Sequence, residues 1–167
     1  MPATEADLCT LVDATDAHFA WMLGEGASPH SNLRLPPDGV DAPGVLRLLR
    51  AMTGRLKEAG CRGSWLIVAE SEVVGICGYK MPPTTEGKVE IGYGIAPGRR
   101  DRGYASCAVR AVLKLARLDR NILVVSAATT VANVVSQRVL ERNGFAQSAT
   151  SYDPDDGMLI WWQVVLA

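Results

Sequence analysis

The chain has 167 residues, of which 48% are hydrophobic and 21% charged, and its formal net charge at pH 7 is −1. A chain of this length and composition forms one folded domain with a substantial core rather than a disordered segment. The near-neutral charge excludes a broadly basic surface, which argues against a nucleic-acid-binding or membrane-surface protein. No apolar run approaches the roughly 18 residues that a membrane-spanning helix needs.

The cysteines and the N-terminal segment predict where the protein works. Four cysteines occur without a CxxC pair or a neighbouring histidine: Cys9, Cys61, Cys77 and Cys107. This pattern favours structural thiols over a disulfide framework or a metal site, so we expect no bound metal. Residues 1–11 lack the basic-then-apolar pattern of a signal peptide. We therefore expect a cytoplasmic protein with one domain over residues 1–167.

The first part of the chain predicts a strand, two helices and a loop. Residues 4–12 carry spaced apolar side chains, as a strand would, and residues 15–23 have the pattern of a short helix capped by Thr15. The segment 24–43 is rich in glycine and proline, which predicts a loop. A second helix is expected over 44–59, where apolar residues recur at the spacing of one helical face.

The middle of the chain changes to the period of strands. Residues 65–69 and 73–79 are strand-like and are joined by a polar connection, which suggests a hairpin. In residues 89–96 large apolar side chains alternate with polar or small ones, so Glu90 and Gly94 share one face of a third strand. Glycine inside a strand often marks the close approach of another backbone or a ligand.

A basic turn follows that strand and opens a helix expected over 103–118. The first N–H groups of a helix have no partner within it, and the helix dipole is positive there. Gly103 has no Cβ to keep a bulky ligand away. We therefore expect a pyrophosphate site, formed by the following residues: Arg100, Asp101, Arg102, Gly103, Tyr104, Ala105 and Ser106.

The last part of the chain predicts a buried strand, a helix and a closing hairpin. Residues 122–126 form a short apolar run typical of a strand covered on both faces. A helix is expected over 131–142. Three valines would share one face of that helix: Val131, Val135 and Val139. Two strand-like runs, 145–152 and 158–166, flank a turn-forming segment and complete the chain.

This order of elements, together with the basic turn, resembles the GCN5-related N-acetyltransferase (GNAT) superfamily. The family signature Arg/Gln-x-x-Gly-x-Gly/Ala is matched by Arg100-Asp101-Arg102-Gly103-Tyr104-Ala105, and Asn133, Ser136 and Asn143-Gly144-Phe145 follow as in the family. The resemblance implies an α/β (α+β) fold with one GNAT-like domain. Its central, mostly antiparallel mixed sheet would have about seven strands and four helices. Their order would be strand, two helices, three strands, helix, strand, helix and two strands.

The resemblance also implies an activity. An acyl group, most simply acetyl, would pass from acetyl-CoA to an amine by direct attack in a ternary complex. The turn would hold the CoA pyrophosphate, Asn133 the pantetheine arm, and an amide of Gly94 or Ile95 the thioester oxygen. Glu90 would deprotonate the amine, directly or through a water. The alternatives are that Glu90 is a solvated surface residue and that Asn133 only caps its helix.

The sequence departs from the family at the group that protonates the leaving thiolate. Many relatives have a tyrosine seven residues after the position of Asn133, where this chain has Leu140. Ser136 is the expected replacement; a helix residue that bonds its own backbone is the alternative role. Because of this departure, a catalytically degenerate CoA-binding sensor or partner module stands as the alternative function.

The acceptor is expected to be a small-molecule amine or a protein N-terminus. Glu25 and Asp38, in or beside the glycine- and proline-rich loop, are candidates to receive a cationic amine. No cysteine or serine has an evident nucleophile setting, so we do not expect a covalent acyl-enzyme. A homodimer formed through the terminal strands is a further expectation.

Overall fold

Seven strands and four α-helices follow one another in the predicted order in the computed structural model, which describes residues 8–166. The strands are β1 (Thr10–Asp13), β2 (Ser64–Ala69), β3 (Glu72–Tyr79), β4 (Lys88–Ile95), β5 (Val124–Thr130), β6 (Ala146–Asp153) and β7 (Gly157–Val165). The helices are α1 (Asp16–Met22), α2 (Pro43–Glu58), α3 (Tyr104–Leu118) and α4 (Val134–Arg142). The predicted fold class is therefore confirmed.

The strands form one mixed sheet in the order β1-β2-β3-β4-β5-β7-β6. Every neighbouring pair is antiparallel except β4 and β5, which run parallel and pair only from Lys88–Glu90 to Val124–Ser126. Beyond Glu90 the two strands are no longer paired. The sheet is therefore open along the second half of β4, next to the basic turn.

Each face of the sheet is covered by different helices. The larger core cluster includes the buried face of α3, with Val109 and Val112 among its members. The second cluster includes residues of α1 and α2, among them Phe19 and Leu46, packed with residues of β2 and β3. Because side chains alternate between the faces of a strand, odd-numbered residues of β4 face α3 and even-numbered ones face α2.

Gly75 on β3 fixes how closely the neighbouring strand approaches. It lies opposite Ile95, and a Cβ built on it would lie 2.3 Å from the carbonyl oxygen of Gly94. No side chain fits at that distance, so β4 keeps its position against β3 because residue 75 is a glycine. Gly75 therefore helps to set the position of the backbone at the open part of β4.

The start of α4 differs from the prediction. The helix begins at Val134 rather than residue 131, because the side chain of Asn133 accepts a hydrogen bond from the Ser136 N–H (3.2 Å) and caps the helix there. Val131 and Val135 are exposed, so the predicted apolar face is wrong. The buried residues of α4 are Val139 and Leu140.

The other boundaries shift for reasons of strand pairing. β5 covers Val124–Thr130 rather than 122–126, because all seven of its residues pair with β7. Of the predicted first strand, residues 4–7 lie outside the described residues, and β1 extends to Asp13. None of the helices within residues 8–166 is long and apolar enough to cross a membrane.

Candidate active site

The basic turn adopts a backbone that leaves the start of α3 open. Gly103 occupies the N-cap position of α3 in the left-handed conformation (φ +83°), and no side chain caps the helix. A Cβ at Gly103 would lie 3.3 Å from Leu8 and would be strained at this φ. The first N–H groups of α3 are therefore free of a side-chain cap and can meet an anion.

A cavity of about 780 Å³ lies between this turn, the open part of β4 and the start of α4. Eleven of the twelve predicted site residues line it: Gly94, Ile95, Arg100, Asp101, Arg102, Gly103, Tyr104, Ala105, Ser106, Asn133 and Ser136. Arg138 and Arg142, which stand one turn apart on α4, line it as well. This cavity, called the turn cavity below, is thus edged by cationic side chains and helix amides, a combination suited to phosphate groups.

The arginines of the turn have different roles. Arg99 forms a two-pronged ion pair with the buried carboxylate of Glu72, with 3.1 Å between Nη2 and Oε2. This guanidinium holds the pKa of Glu72 below its ordinary value. Arg100 donates from Nε to the carbonyl oxygen of Ile95 (3.3 Å). Arg99 therefore ties the turn to β3, whereas Arg100 and Arg102 are exposed at the turn cavity.

The open edge of β4 presents backbone groups to the turn cavity. On the β3 side, the backbone carbonyl oxygen of Glu90 accepts a hydrogen bond from the backbone N–H of Lys80 (2.9 Å). The backbone N–H of Ala96 donates to the carbonyl oxygen of Val74 on the same side. Because backbone groups alternate along a strand, those of Ile91, Tyr93 and Ile95 point to the opposite edge, where β5 has separated. The N–H groups of Tyr93 and Ile95 are therefore donors at the edge of the turn cavity.

A phenol and a serine meet at the other wall of this cavity. The Tyr93 hydroxyl donates to the backbone carbonyl oxygen of Ser136 at 3.3 Å, and burial raises the pKa of Tyr93. Leu140 is fully buried in the core. Asn143 donates to the Ser106 hydroxyl (3.2 Å), which joins the end of α4 to the start of α3. The two helices thus hold the walls of the cavity together.

Glu90 lies apart from the other predicted residues. It does not line the turn cavity, and its Oε1 forms an ion pair with the Lys80 ammonium at 2.7 Å. The stem of Lys80 crosses Gly92, since a Cβ on that glycine would lie 3.3 Å from the lysine Cε. Glu90, Gly92 and Gly94 share the face of β4 that looks toward α2, as the alternation predicts.

A second cavity, of about 240 Å³, lies on that face between α2 and strands β3 and β4. It is lined by apolar side chains of α2 and by Asp41, Lys80, Gly92, Tyr93 and Gly94. We call it the α2 cavity. Tyr93 and Gly94 line both cavities, so the two meet at this point of β4.

The acidic residues predicted for an amine do not reach this place. Glu25 forms an ion pair with Arg50 at 3.0 Å, and neither Glu25 nor Asp38 lines the α2 cavity. Asp41, just before α2, does. Sequence reasoning missed Asp41, Lys80 and Tyr93, because their meeting depends on how α2, β3 and β4 pack. For Arg138 and Arg142 a signal existed in the four-residue spacing on a helix.

Comparison with known proteins adds a family and a fold. The profile of the family described as "Acetyltransferase (GNAT) domain" matches residues 2–146. The uncharacterised N-acetyltransferase YjdG of Bacillus subtilis (strain 168) is 31% identical over 94 residues. That alignment covers 54% of this chain and 56% of YjdG, so the chain matches only about half of this relative's length.

Solved structures match along almost the whole chain. The ribosomal L7/L12 α-N-protein acetyltransferase RimL, in complex with coenzyme A, superposes with a TM-score of 0.71 at 16% identity, over 95% of this chain and 94% of RimL. The microcin C7 self-immunity acetyltransferase MccE, in complex with acetyl-CoA and AMP, gives a TM-score of 0.71 at 12% identity, over 96% of this chain and 93% of MccE. At these identities the likeness establishes the fold.

Proposed function

The chain belongs to this GNAT acetyltransferase family, and we propose that it transfers an acetyl group from acetyl-CoA to a primary amine by direct attack in a ternary complex. The observation that carries the proposal is the meeting of the turn cavity and the α2 cavity at Tyr93 and Gly94. The acceptor arrives as an ammonium and first loses a proton to become the neutral amine. Its nitrogen then bonds to the thioester carbonyl carbon and loses a second proton, the C–S bond breaks, and the departing thiolate gains a proton.

The turn cavity fits coenzyme A by its donors. The amides from Arg102 to Ser106 at the start of α3 would hold the pyrophosphate, with Arg100, Arg102, Arg138 and Arg142 as neighbouring cations. The pantetheine arm, itself an amide chain, would lie along the open edge of β4 and take hydrogen bonds there. Asn133 would bond it with the side-chain amide N–H₂, because its oxygen caps α4. The relatives with bound CoA and acetyl-CoA support this assignment.

The thioester oxygen gathers negative charge during attack and needs a donor. Of the two amides predicted for this role, Gly94 and Ile95, the alternation along β4 favours Ile95, whose N–H points to the open edge. A fixed backbone donor of this kind costs no reorganisation when the charge forms. Close placement of the two substrates would supply much of the remaining acceleration.

Two side chains would move the protons. Glu90 lines neither cavity and lies four strand residues, roughly 13 Å along β4, from Gly94, so it would accept the proton of the ammonium through a chain of several waters. Ser136 would protonate the departing thiolate, with the Tyr93 hydroxyl beside it. The acceptor would be a small-molecule amine or a protein N-terminus; RimL acts on the ribosomal protein L7/L12. We assign the reaction to the cytoplasm because the four cysteines are free thiols.

Ligand-dependent melting followed by an acceptor screen tests this proposal. Acetyl-CoA should raise the melting temperature, and ATP should not, because only the former has a pantetheine arm for the open edge of β4. Release of free thiol should then depend on an added amine. Stabilisation by ATP instead of acetyl-CoA would overturn the CoA assignment. Stabilisation by acetyl-CoA without thiol release for any amine would favour the non-catalytic sensor, for which the Glu90–Lys80 ion pair is the supporting observation.

A further inference from the structure

We propose that Asp41 receives the ammonium group of the acceptor, and that this acceptor is a primary amine with one positive charge and an apolar body. The inference rests on the transfer reaction proposed above, because it assigns the α2 cavity to the amine. It concerns binding of the acceptor and its orientation toward Gly94.

The two carboxylate oxygens of Asp41 are placed differently. Oδ1 accepts a hydrogen bond from the Ala42 N–H at 2.7 Å, at the start of α2. Oδ2 is directed at β4: it is the heavy atom closest to the point where a Cβ on Gly94 would stand, at 3.9 Å. Because residue 94 has no side chain, the space between Oδ2 and the strand is open. An ammonium held there would stand beside the residue at which the turn cavity begins.

Among the described residues that line the α2 cavity, Asp41 alone carries a carboxylate. Two acidic side chains outside this cavity are engaged, Glu90 by Lys80 at 2.7 Å and Glu25 by Arg50 at 3.0 Å. An exposed carboxylate at the end of an apolar cavity attracts a cation more strongly than it would on an open surface, because the wall lowers the local dielectric.

The wall of the α2 cavity defines the body of the acceptor. Five apolar side chains of α2 line it: Val45, Leu48, Leu49, Met52 and Leu56. Leu48 is 57% exposed. An apolar group of the acceptor would cover this surface and gain the free energy of burial. The wall therefore favours an alkyl or aryl amine.

The opposite wall limits the charge of the acceptor. The stem of Lys80 lies over Gly92 in the same cavity, and its ammonium, 45% exposed as a side chain, is paired with Glu90. Because this pair is neutral overall, a second positive charge on the acceptor would lie at this wall without a partner, so polyamines fit poorly. A single carboxylate and an apolar wall together select a single cation.

Titration calorimetry on the complex of the protein with CoA tests this assignment without turnover. The probes are 2-phenylethylamine, its uncharged analogue 2-phenylethanol, and spermidine. Asp41→Asn keeps an oxygen for the Ala42 N–H and removes only the charge, so α2 should begin as before. We expect it to weaken 2-phenylethylamine binding roughly tenfold to a hundredfold, the value of a hydrogen bond to a charged group. Binding of 2-phenylethanol should not change, and spermidine should bind the native protein more weakly than 2-phenylethylamine.

Asp38→Asn is the matched control, since it removes a carboxylate from the same loop but outside the α2 cavity. Asp41→Glu, which keeps the charge, should restore part of the affinity and guards against a folding defect. In steady state, Asp41→Asn should raise KM for the amine with little change in kcat. Equal amine affinity in Asp41→Asn and native protein would overturn the inference. Amine binding lost in Asp41→Asn, without thiol release by the native protein, would support Asp41 and contradict the proposed function.

Discussion

Glu90 is held by a lysine, and this pairing defines how the proposed base can be tested. Glu90→Gln keeps the size and hydrogen-bonding capacity of the side chain but cannot take a proton. We expect kcat to fall roughly 10²- to 10⁴-fold at neutral pH, the usual contribution of a general base. CoA affinity should stay within about twofold, because Glu90 does not line the turn cavity.

Steady-state kinetics with calorimetric CoA titration checks both expectations. Glu86→Gln, in the exposed turn before β4, is the control for loss of a surface carboxylate. An unchanged kcat in Glu90→Gln would show that Glu90 is not the base and that it serves only to pair with Lys80.

Ser136 and Tyr93 can be separated as donors to the departing thiolate. Ser136→Ala leaves its backbone carbonyl in place, so the Tyr93 contact survives; Tyr93→Phe removes only the phenol hydroxyl. We expect Ser136→Ala to lower kcat by at least about tenfold and Tyr93→Phe to have a smaller effect. Burial raises the pKa of Tyr93, so its hydroxyl is protonated at neutral pH and able to donate.

Comparison of kcat for the two variants over pH 6–9 checks this assignment. If Ser136→Ala has the native kcat and Tyr93→Phe is slow, the proton donor is Tyr93 on β4. Native rates in both would mean that solvent protonates the thiolate.

At the scale of the elements, an ion pair connects the basic turn to β3 and holds the turn in place. Glu72, on β3, is 7% exposed and binds Arg99 of the turn, which lowers the pKa of Glu72 from its ordinary value of 4.5. A lowered carboxyl pKa contributes stability above pH 4.5, and this contribution is lost as pH falls through the lower folded-state pKa.

Glu72→Gln should therefore lower the melting temperature by a few degrees at pH 7, and the difference from the native protein should shrink below pH 4.5. Thermal unfolding from pH 7 to pH 3 measures this difference. Glu70→Gln, exposed in the adjoining turn, should behave like the native protein. A difference that is constant across this range would mean that Glu72 does not stabilise the turn through its charge.

The helices and strands show which parts of the fold can be predicted from sequence patterns. The hairpin of β2 and β3 and the helix after the turn were predicted closely, because apolar periodicity and local turn residues define them. β5 was predicted too short because Ala127 to Thr130 have little hydrophobicity of their own; pairing with β7 makes them a strand. The start of α4 was missed because Asn133, a cap, lies within the apolar pattern.

Some residues of the candidate site could likewise be predicted from the sequence, and others could not. The predicted residues of the turn cavity stand in three short segments, 94–95, 100–106 and 133–136, so the sequence predicts them together. Lys80 and Asp41 come from the end of β3 and from the loop before α2, and no spacing in the sequence connects them with Glu90 or Gly94. Their contacts follow from the packing of α2 on the sheet, which is a long-range property of the chain.

At the scale of the whole molecule, the two cavities open on different sides of β4 and meet at two residues. In the proposed reaction both substrates would therefore be bound at once, and neither would have to leave before the other enters. We expect initial-rate plots against one substrate, at several fixed concentrations of the other, to intersect. Parallel lines, with exchange of label between acetyl-CoA and free CoA in the absence of amine, would indicate a covalent acyl-enzyme and contradict direct transfer.

The shared position at Gly94 has a consequence for inhibition. A molecule that joins an alkyl amine to the sulfur of CoA through a two-carbon acyl bridge would place one part in each cavity, with the bridge over the residue that has no side chain. Its two parts would bind with a high effective concentration for each other, so its affinity should exceed that of either part alone. If the amine part of such a molecule is varied, the affinities of the resulting molecules for the protein would rank candidate acceptors.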